Sequence, residues 1–363
     1  MAMRPLRILV DSFADAGLPN AQMGNAREIV CRLDPEQFHV SMFMLDPPDP
    51  RIAARRNMRL IQLPRRKQTV RILTEFLWGA HQILFYMKSS PASRWYLSLR
   101  SQWKDCRTTV GTVESQSNLK EQPTIAPEAI KLYEQTVLRC DYLFSNSSIV
   151  QRSLEREYGL SSQIIPTGVD TRFFTPAWEC PPNTRPRVLF VGSLREFKQP
   201  QFLLSAAIRF PQADFRIAGT GPLEPELTAR ISRDELRNVR LLGQLNAEQL
   251  REEYRLADVF LFPSEWEGSP KVVLEAAACG LPVIVRNNYS AETVVHGTTG
   301  YQAASDDELH ARLGTLLANP GLRSQLGRAG RLHSQSFDWN VIAGQWAQTF
   351  FRLAQQNQLR QAS

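Results

Sequence analysis

The sequence contains no Cys-x-x-Cys pair, and its five cysteines (Cys31, Cys106, Cys140, Cys180 and Cys279) are odd in number and scattered along the chain. A disulfide framework and a zinc ribbon are poor readings of that pattern, and a reducing compartment is the expectation. No apolar run is long enough to cross a bilayer: the most apolar long stretch, 72–87, carries Glu75 and His81. Nor does MAMRPLRILVDSF read as a secretory leader, because Asp11 interrupts its apolar run. A soluble, cytoplasmic chain is expected, at most peripheral on the inner face of a membrane. Acid is missing from one segment. From Arg51 to Arg71 there are Arg51, Arg55, Arg56, Arg59, Arg65, Arg66, Lys67 and Arg71 but no Asp or Glu, so this segment supplies the whole net charge of +7. Such a segment suits anionic lipid, nucleic acid or a polyanionic acceptor, or is simply a solvated face. No helix-turn-helix, zinc-finger or RNA-binding signature accompanies it, which argues against nucleic acid.

What is present is enough for two cores. A chain of 363 residues, 43% of them apolar, suits two domains rather than one. Strand and helix patterns alternate along both halves. In the first half RILV, FHVSMFML and RLIQLP read as strands. A helix is expected near Gly24, a long apolar helix over 70–87 and a strand near 106–113. Ser147 or Ser148 reads as the N-cap of a helix that ends at Gly159. The stretch PAWECPPNTRP, 176–186, has four prolines and reads as a linker. A second alternating series follows, through RVLFVGS, DFRIAGTGP, NVRLLGQL, DVFLFPS and LPVIVRN. The expected fold class is α/β, two Rossmann-like β/α/β domains (1–175 and 187–336) facing across a cleft. A last helix, 337–363, is expected to return to the first domain.

The most informative stretch is DVFLFPSEWEGSPKVVLEAAACGLPVIV, 258–285. An apolar strand runs into a polar loop that holds Glu267 and Gly268. Ser269 is a good N-cap and Pro270 fits the first helical position. The start of that helix offers unpaired N–H groups to a phosphate or to sugar hydroxyls. Glu275 follows about one and a half turns later. Two carboxylates at this spacing are able to accept hydrogen bonds from vicinal diols such as those of ribose or a hexose.

EGSPKVVLE is an E-x7-E motif, and its context resembles the large retaining glycosyltransferase family of the GT-B fold, family four, the group 1 glycosyltransferases. VLFVGSLREFK, FRIAGTGP, NVRLLGQLNAEQLREEYRLADVFLFPS and AETVVHGTTGY stand in the family's order and spacing, and CDYLFSNSS and IIPTGVDTRFF resemble the close of its first half. The likeness is strong over about 140–345. The resemblance implies a transfer that retains anomeric configuration, from a nucleotide-sugar donor to a glycan or lipid-linked acceptor, in cell-surface polysaccharide or glycolipid synthesis of a bacterium. It implies that Glu275 holds the donor ribose and that Glu267 contacts the transferred sugar. Lys198 would stabilise the diphosphate, with Gly268, Ser269 and Lys271 lining the same loop. Gly192 is followed by Ser193 where the family often has Arg, and Arg195 is the candidate substitute. Gly219 and Gly221 resemble the family's Gly-x-Gly-Pro turn, Gln244 and Leu245 would lie beside the base, and Gly24 would face the donor phosphate. The family's first-domain histidine is replaced at its matching position by Glu114. No Asp-x-Asp occurs, so neither a metal nor a cofactor is expected. Two alternatives go with the same fold: a nucleotide-sugar epimerase, and a non-catalytic partner in a glycan-assembly complex.

Overall fold

A computed structural model describes residues 4–17, 21–100, 102, 105–114, 126–177, 183–288 and 292–362. The chain forms two compact units, one of 1–166 with 339–363 and the other of 167–338.

Unit 1 runs β1 (Leu6–Phe13), α1 (Ala21–Arg32), β2 (Phe38–Met44), α2 (Pro50–Ala53), β3 (Met58–Gln62), α3 (Gln68–Trp78), β4 (Ile83–Phe85), α4 (Pro91–Leu99), β5 (Thr108–Val113), α5 (Pro127–Glu134), β6 (Tyr142–Ser145), α6 (Ser148–Tyr158) and β7 (Gln163–Ile164). The seven strands are parallel, in the order β3-β2-β1-β4-β5-β6-β7. The apolar runs of β1, β4 and β5 are buried because helices cover both faces of the sheet. One face packs on α3 and α4 through Phe76, Ala92 and Tyr96.

Unit 2 runs β8 (Arg187–Val191), α7 (Gln201–Arg209), β9 (Asp214–Ala218), α8 (Glu224–Arg233), β10 (Val239–Gly243), α9 (Ala247–Leu256), β11 (Val259–Phe262), α10 (Lys271–Ala278), β12 (Val283–Arg286), β13 (Gly300–Ala303), α11 (Asp306–Ala318) and α12 (Pro320–Ser334). Its six parallel strands follow the order β10-β9-β8-β11-β12-β13. The last helix, α13 (Trp339–Ala362), belongs to unit 1. Its Trp339, Ile342, Trp346, Phe350 and Leu353 are buried against the other sheet face, where Trp346 meets Phe85 at 4.6 Å and Phe144 at 4.9 Å between ring centroids. Each sheet is therefore doubly wound, with its order reversing between β1 and β4 in one and β8 and β11 in the other. Ligands of such sheets bind beyond the carboxyl ends of the strands at that reversal.

Three expectations are corrected. The apolar stretch 70–87 is not one helix: α3 stops at Trp78 and β4 begins at Ile83. Gly79 makes the break, since a Cβ there would lie 2.4 Å from the Glu75 carbonyl that its N–H meets at 2.9 Å. Helix α1 begins at Ala21, so Gly24 is inside its first turn rather than at its opening. The units part between Pro166 and Thr167 and again between Asp338 and Trp339, not across 176–186. Residues 167–177 pack on unit 2 because Val169 N–H donates to Phe337 O (2.9 Å) and Arg331 donates to the Thr171 and Phe174 carbonyls (2.9 and 3.0 Å). Of the proline-rich segment, 178–182 lie outside the described residues. Ser147 is the N-cap of α6, and Gly159 ends it in the left-handed region at φ 65°.

Candidate functional site

In unit 2 the loops that follow β8 and β11 flank the sheet reversal and are sewn together. Glu265 N–H donates to Phe197 O (2.8 Å), and Ser264 Oγ lies 3.2 Å from the same carbonyl. The Phe197 and Trp266 rings stack at 5.9 Å, and Gln199 Nε2 reaches Glu265 Oε1 at 3.1 Å. This frame brings Lys198 and Glu267 into an ion pair although they are 69 positions apart. Both side chains are mostly covered, 15% and 12% exposed. Ser264 Oγ holds the same Glu267 oxygen at 2.7 Å, and the Lys198 ammonium lies 5.1 Å from the centres of the Phe197 and Phe262 rings. An ammonium has three donors, so a lysine held over apolar rings and beside one carboxylate is able to meet a second anion as well.

Helix α10 supplies the other half. Pro270 occupies the N-cap position and Lys271 opens the helix, so Ser269 stands one residue before the cap and makes no capping bond. Proline at the cap has no side-chain acceptor to offer, which corrects the expected Ser269 cap. The Ser269 Oγ is buried and has no hydrogen-bond partner among the described residues. In the first turn of the helix Val273 N–H donates to Pro270 O at 3.2 Å. Glu275, half-buried on the next turn, accepts from Tyr254 OH at 3.0 Å. Burial raises its carboxyl above the usual range, against the Tyr254 hydrogen bond and the Lys271 charge, which lower it. Burial and the Glu275 charge hold the Tyr254 phenol well above its ordinary value, so it remains a donor.

The remaining sequence candidates of unit 2 surround this frame. Gly192 follows β8 and packs on the Phe190 ring, while Ser193 and Arg195 are exposed beyond it. Gly219 sits at φ 131°, and a Cβ there would lie 1.9 Å from Gly192 O; one on Gly221 would lie 2.5 Å from Leu194 O. These two glycines let the turn after β9 touch the turn after β8, where Leu194 N–H donates to Thr220 O at 3.0 Å. Gln244 is exposed and Leu245 is half-buried after β10. Ser264 and Tyr254 were missed by sequence reasoning. Ser264 stands three residues before Glu267 in FPSEWEG, a spacing that carries meaning only once the loop is known.

Unit 1 has its own polar cluster at the corresponding end of its sheet. Glu114, just past β5, accepts from Tyr86 OH at one carboxylate oxygen and from Asn25 Nδ2 at the other (3.1 Å). Its carbonyl accepts from Asn146 Nδ2 at 2.9 Å. Tyr86 is a non-glycine residue at φ 64°, a conformation that turns its buried ring toward Glu114. Both asparagine amides must present oxygen on their other side, because their nitrogens face groups that only accept. Those Oδ1 atoms are buried and without partner among the described residues. Gly24 precedes Asn25 on α1, and Asn25 rather than Gly24 reaches the cluster. Beside it, burial pushes the Asp11 carboxyl up to about 6, against the Lys88 N–H and Ser93 hydroxyl that donate to it.

The basic segment is largely engaged within unit 1, which corrects its reading as one open patch. Arg51 pairs with Glu28 and Asp49, Arg56 with Glu36, and both Arg59 and Arg71 with Glu75. Arg55 is a clamp: its guanidinium donates to the carbonyls of Val30, Leu33, Phe38, Arg56 and Asn57. Arg65, Arg66 and Lys67 stay exposed.

Residues 178–333 match the family model described as "Glycosyl transferases group 1". A D-inositol 3-phosphate glycosyltransferase of Geodermatophilus obscurus is 32% identical over 57% of this chain and 51% of its own length. A GDP-mannose-dependent monoacylated alpha-(1-6)-phosphatidylinositol monomannoside mannosyltransferase of Corynebacterium glutamicum is 31% identical over 49% and 53%. The chain thus spans about half the length of the curated relatives it matches. Among solved structures, sucrose-phosphate synthase from Thermosynechococcus elongatus superposes with a TM-score of 0.78 at 23% identity, over 96% of this chain and 99% of that one. HepE from Anabaena, solved with UDP and glucose, gives 0.72 at 17% identity over 96% and 100%. At these identities the structural likeness shows the fold.

Proposed function

We propose, from the group 1 glycosyltransferase domain at residues 178–333 and the site built on it, that this chain transfers a sugar from a nucleotide-sugar donor to a glycan or lipid-linked acceptor. The observation that carries the reading is the Lys198–Glu267 pair beside the unpartnered Ser269 hydroxyl and the start of α10, at the reversal of the unit 2 sheet. Lys198 and the helix start meet the diphosphate, and Glu275, steadied by Tyr254, takes the ribose diol. Glu267 keeps Lys198 in place and faces the transferred sugar; Arg195 is free to swing onto the phosphates from outside. Gly268 and Lys271 line the same loop, and Gln244 and Leu245 border the base.

The reaction follows from that electrostatics. The bond from the anomeric carbon to the diphosphate breaks first, through an oxocarbenium-like state, and Lys198 stabilises the charge left on the departing oxygen. The acceptor hydroxyl forms the new bond on the same face and gives its proton to the leaving phosphate, so configuration is retained and no separate base is required. Metal is not needed for this step. In unit 1, Glu114 acts through Asn25 and Tyr86 rather than as a free carboxylate, and the cluster supports the acceptor. The setting is polysaccharide or glycolipid synthesis on the cytoplasmic side of a bacterial membrane.

A thermal-shift screen against UDP, GDP, ADP and their sugars, with and without EDTA, tests the donor site. A nucleotide at 100 times its Kd stabilises by about 2.7 kcal/mol. The expected result is a shift with one base that survives EDTA and vanishes in Glu275→Ala. Product NMR then reads the anomeric configuration, and an inverted product would sink the same-face mechanism. A C2-epimerised sugar formed without acceptor would identify an epimerase, and donor binding without turnover a non-catalytic partner.

A further inference from the structure

Helices α3 and α4 lie side by side on one face of the unit 1 sheet, and their outward stripes are unusual. The inward side of α3 is Ile72, Leu73, Phe76 and Leu77, and that of α4 is Ala92 and Tyr96. At 100° per residue Arg71, Thr74 and Trp78 of α3 and Pro91, Arg94 and Ser98 of α4 lie opposite, with Val70 and Trp95 at the edges of the inward sides. Three large apolar side chains of these helices face solvent: Trp78 is 74% exposed, Val70 61% and Trp95 53%. These side chains leave large apolar surface in water on two adjacent helices.

Charge says which partner. From residue 50 to residue 104 the chain has twelve Lys and Arg and a single acid, Glu75, although Arg51, Arg56 and Arg100 pair with acids outside that span. Glu75 is buried between Arg59, Arg71 and His81, so it does not offset the surface. The exposed bases Arg65, Arg66 and Lys67 precede α3, and Arg94 stands beside Trp95. A second copy of the same face would set base against base. Nucleic acid would satisfy the charge but not Val70. An anionic bilayer satisfies both, since tryptophan settles at the headgroup level while Lys and Arg meet lipid phosphates. The face also has a recess. Arg94, Trp95, Ser98, Gln135 and Arg139 line a cavity of about 320 Å³ with two guanidinium groups and no acid, and guanidinium groups suit phosphate in fork geometry.

We propose that the α3–α4 face of unit 1 is the surface by which this chain docks on an anionic phospholipid membrane. Trp78, Val70 and Trp95 enter the interface, Arg65, Arg66 and Lys67 meet the surface charge, and the Arg94–Arg139 cavity takes a lipid phosphate. The inference deepens the lipid-linked reading above and rests on it only for its biological use, because vesicle binding is read without any sugar transfer.

The test uses the full chain and vesicles of phosphatidylcholine, alone or mixed with phosphatidylglycerol. Sedimentation is expected to find binding only to the mixed vesicles, weakening as salt rises. Replacing Arg65, Arg66 and Lys67 together by Ser should weaken it roughly 10- to 100-fold at low salt. Trp78→Ser should weaken it several-fold and remove part of the tryptophan quenching by lipids brominated on their acyl chains. Arg94→Ser with Arg139→Ser should weaken it as well, whereas free phosphate at constant ionic strength should not compete. Equal binding to both vesicles, an unaltered triple variant, no quenching in the wild-type chain, or tighter binding to random duplex DNA would each overturn the proposal. Competition by free phosphate would assign the cavity to a soluble anion instead. Quenching in the wild-type chain decides the matter even if a variant fails to fold, and donor-nucleotide binding, measured in parallel, separates loss of this surface from failure of the transferase reading.

Discussion

Lys198 and Glu267 neutralise one another across two loops, so neither is an independent device. Lys198→Ala is expected to lower turnover by about 10²–10³, the usual effect of removing one preorganised charge, with the unfolding midpoint little changed. The double variant with Glu267→Ala should lose much less than the product of the two single losses, because each residue holds the other. Steady-state rates of the four proteins check this, and strict multiplicativity would refute the pairing as a working unit. At Asp11 the consequence is for stability. Its carboxyl titrates near 6 in the folded chain against 3.8 in the ordinary state. The folded chain therefore keeps the proton that the unfolded chain has already released. The stabilisation is complete below pH 3.8 and is lost as pH rises through about 6. Asp11→Asn, which cannot ionise, should gain about 1–2 kcal/mol over the wild type on going from pH 5 to pH 8, read by chemical denaturation at each pH. A constant difference between the two proteins across that range would contradict the assignment. The resemblance singles out Glu267, Glu275 and Lys198 by their order along the chain, and the structure brings Lys198 and Glu267 together. Tyr254, Asn25 and Asn146 were illegible because each acts through a partner 21, 89 or 32 positions away.

At the scale of elements, close approach decides which glycines matter. Gly219→Ala would drive its Cβ to 1.9 Å from Gly192 O at a φ of 131°, so the turns after β8 and β9 would have to separate. A loss of at least about 2–4 kcal/mol is expected, with weaker nucleotide binding. Gly344, on the exposed side of α13 with nothing within 4 Å of an added Cβ, should behave oppositely. Gly344→Ala is expected to stabilise by about 0.5–1 kcal/mol through helix propensity alone. Thermal unfolding of the two variants checks both signs. The alternation of strands and helices was legible because buried parallel strands read as short apolar runs such as RILV and FLFP. The stretch after residue 70 was not. A buried strand and an amphipathic helix are equally apolar, and the turn to extended backbone at Gly79, the C-cap of α3, has no apolar signal. The cap of α10 misled for a related reason: Ser269 has the right chemistry, but Pro270 takes the position.

For the molecule as a whole, two separate cores predict a divided response to ligand. Hydrogen exchange with the preferred nucleotide bound should slow at 192–198 and 264–275 of unit 2 and remain unchanged at 108–114 of unit 1. Protection confined to unit 1 would place the donor on the wrong sheet. The two-unit plan was legible from length and alternation, but the boundary was not, because prolines mark a stretch that cannot be helix and not the place where packing changes sides. The real crossings, at 166/167 and 338/339, make unit 2 an insert within unit 1. That arrangement reverses the order of birth and completion. When residues 1–166 leave the ribosome, the rings of Phe38, Phe85 and Phe144 that α13 covers have no cover yet. They wait for about 200 more residues, on the order of 10–40 s of synthesis. Unit 2, continuous in the chain, is able to finish first. The older half of the polypeptide is the last to mature, and during that interval it is the half that most needs a chaperone.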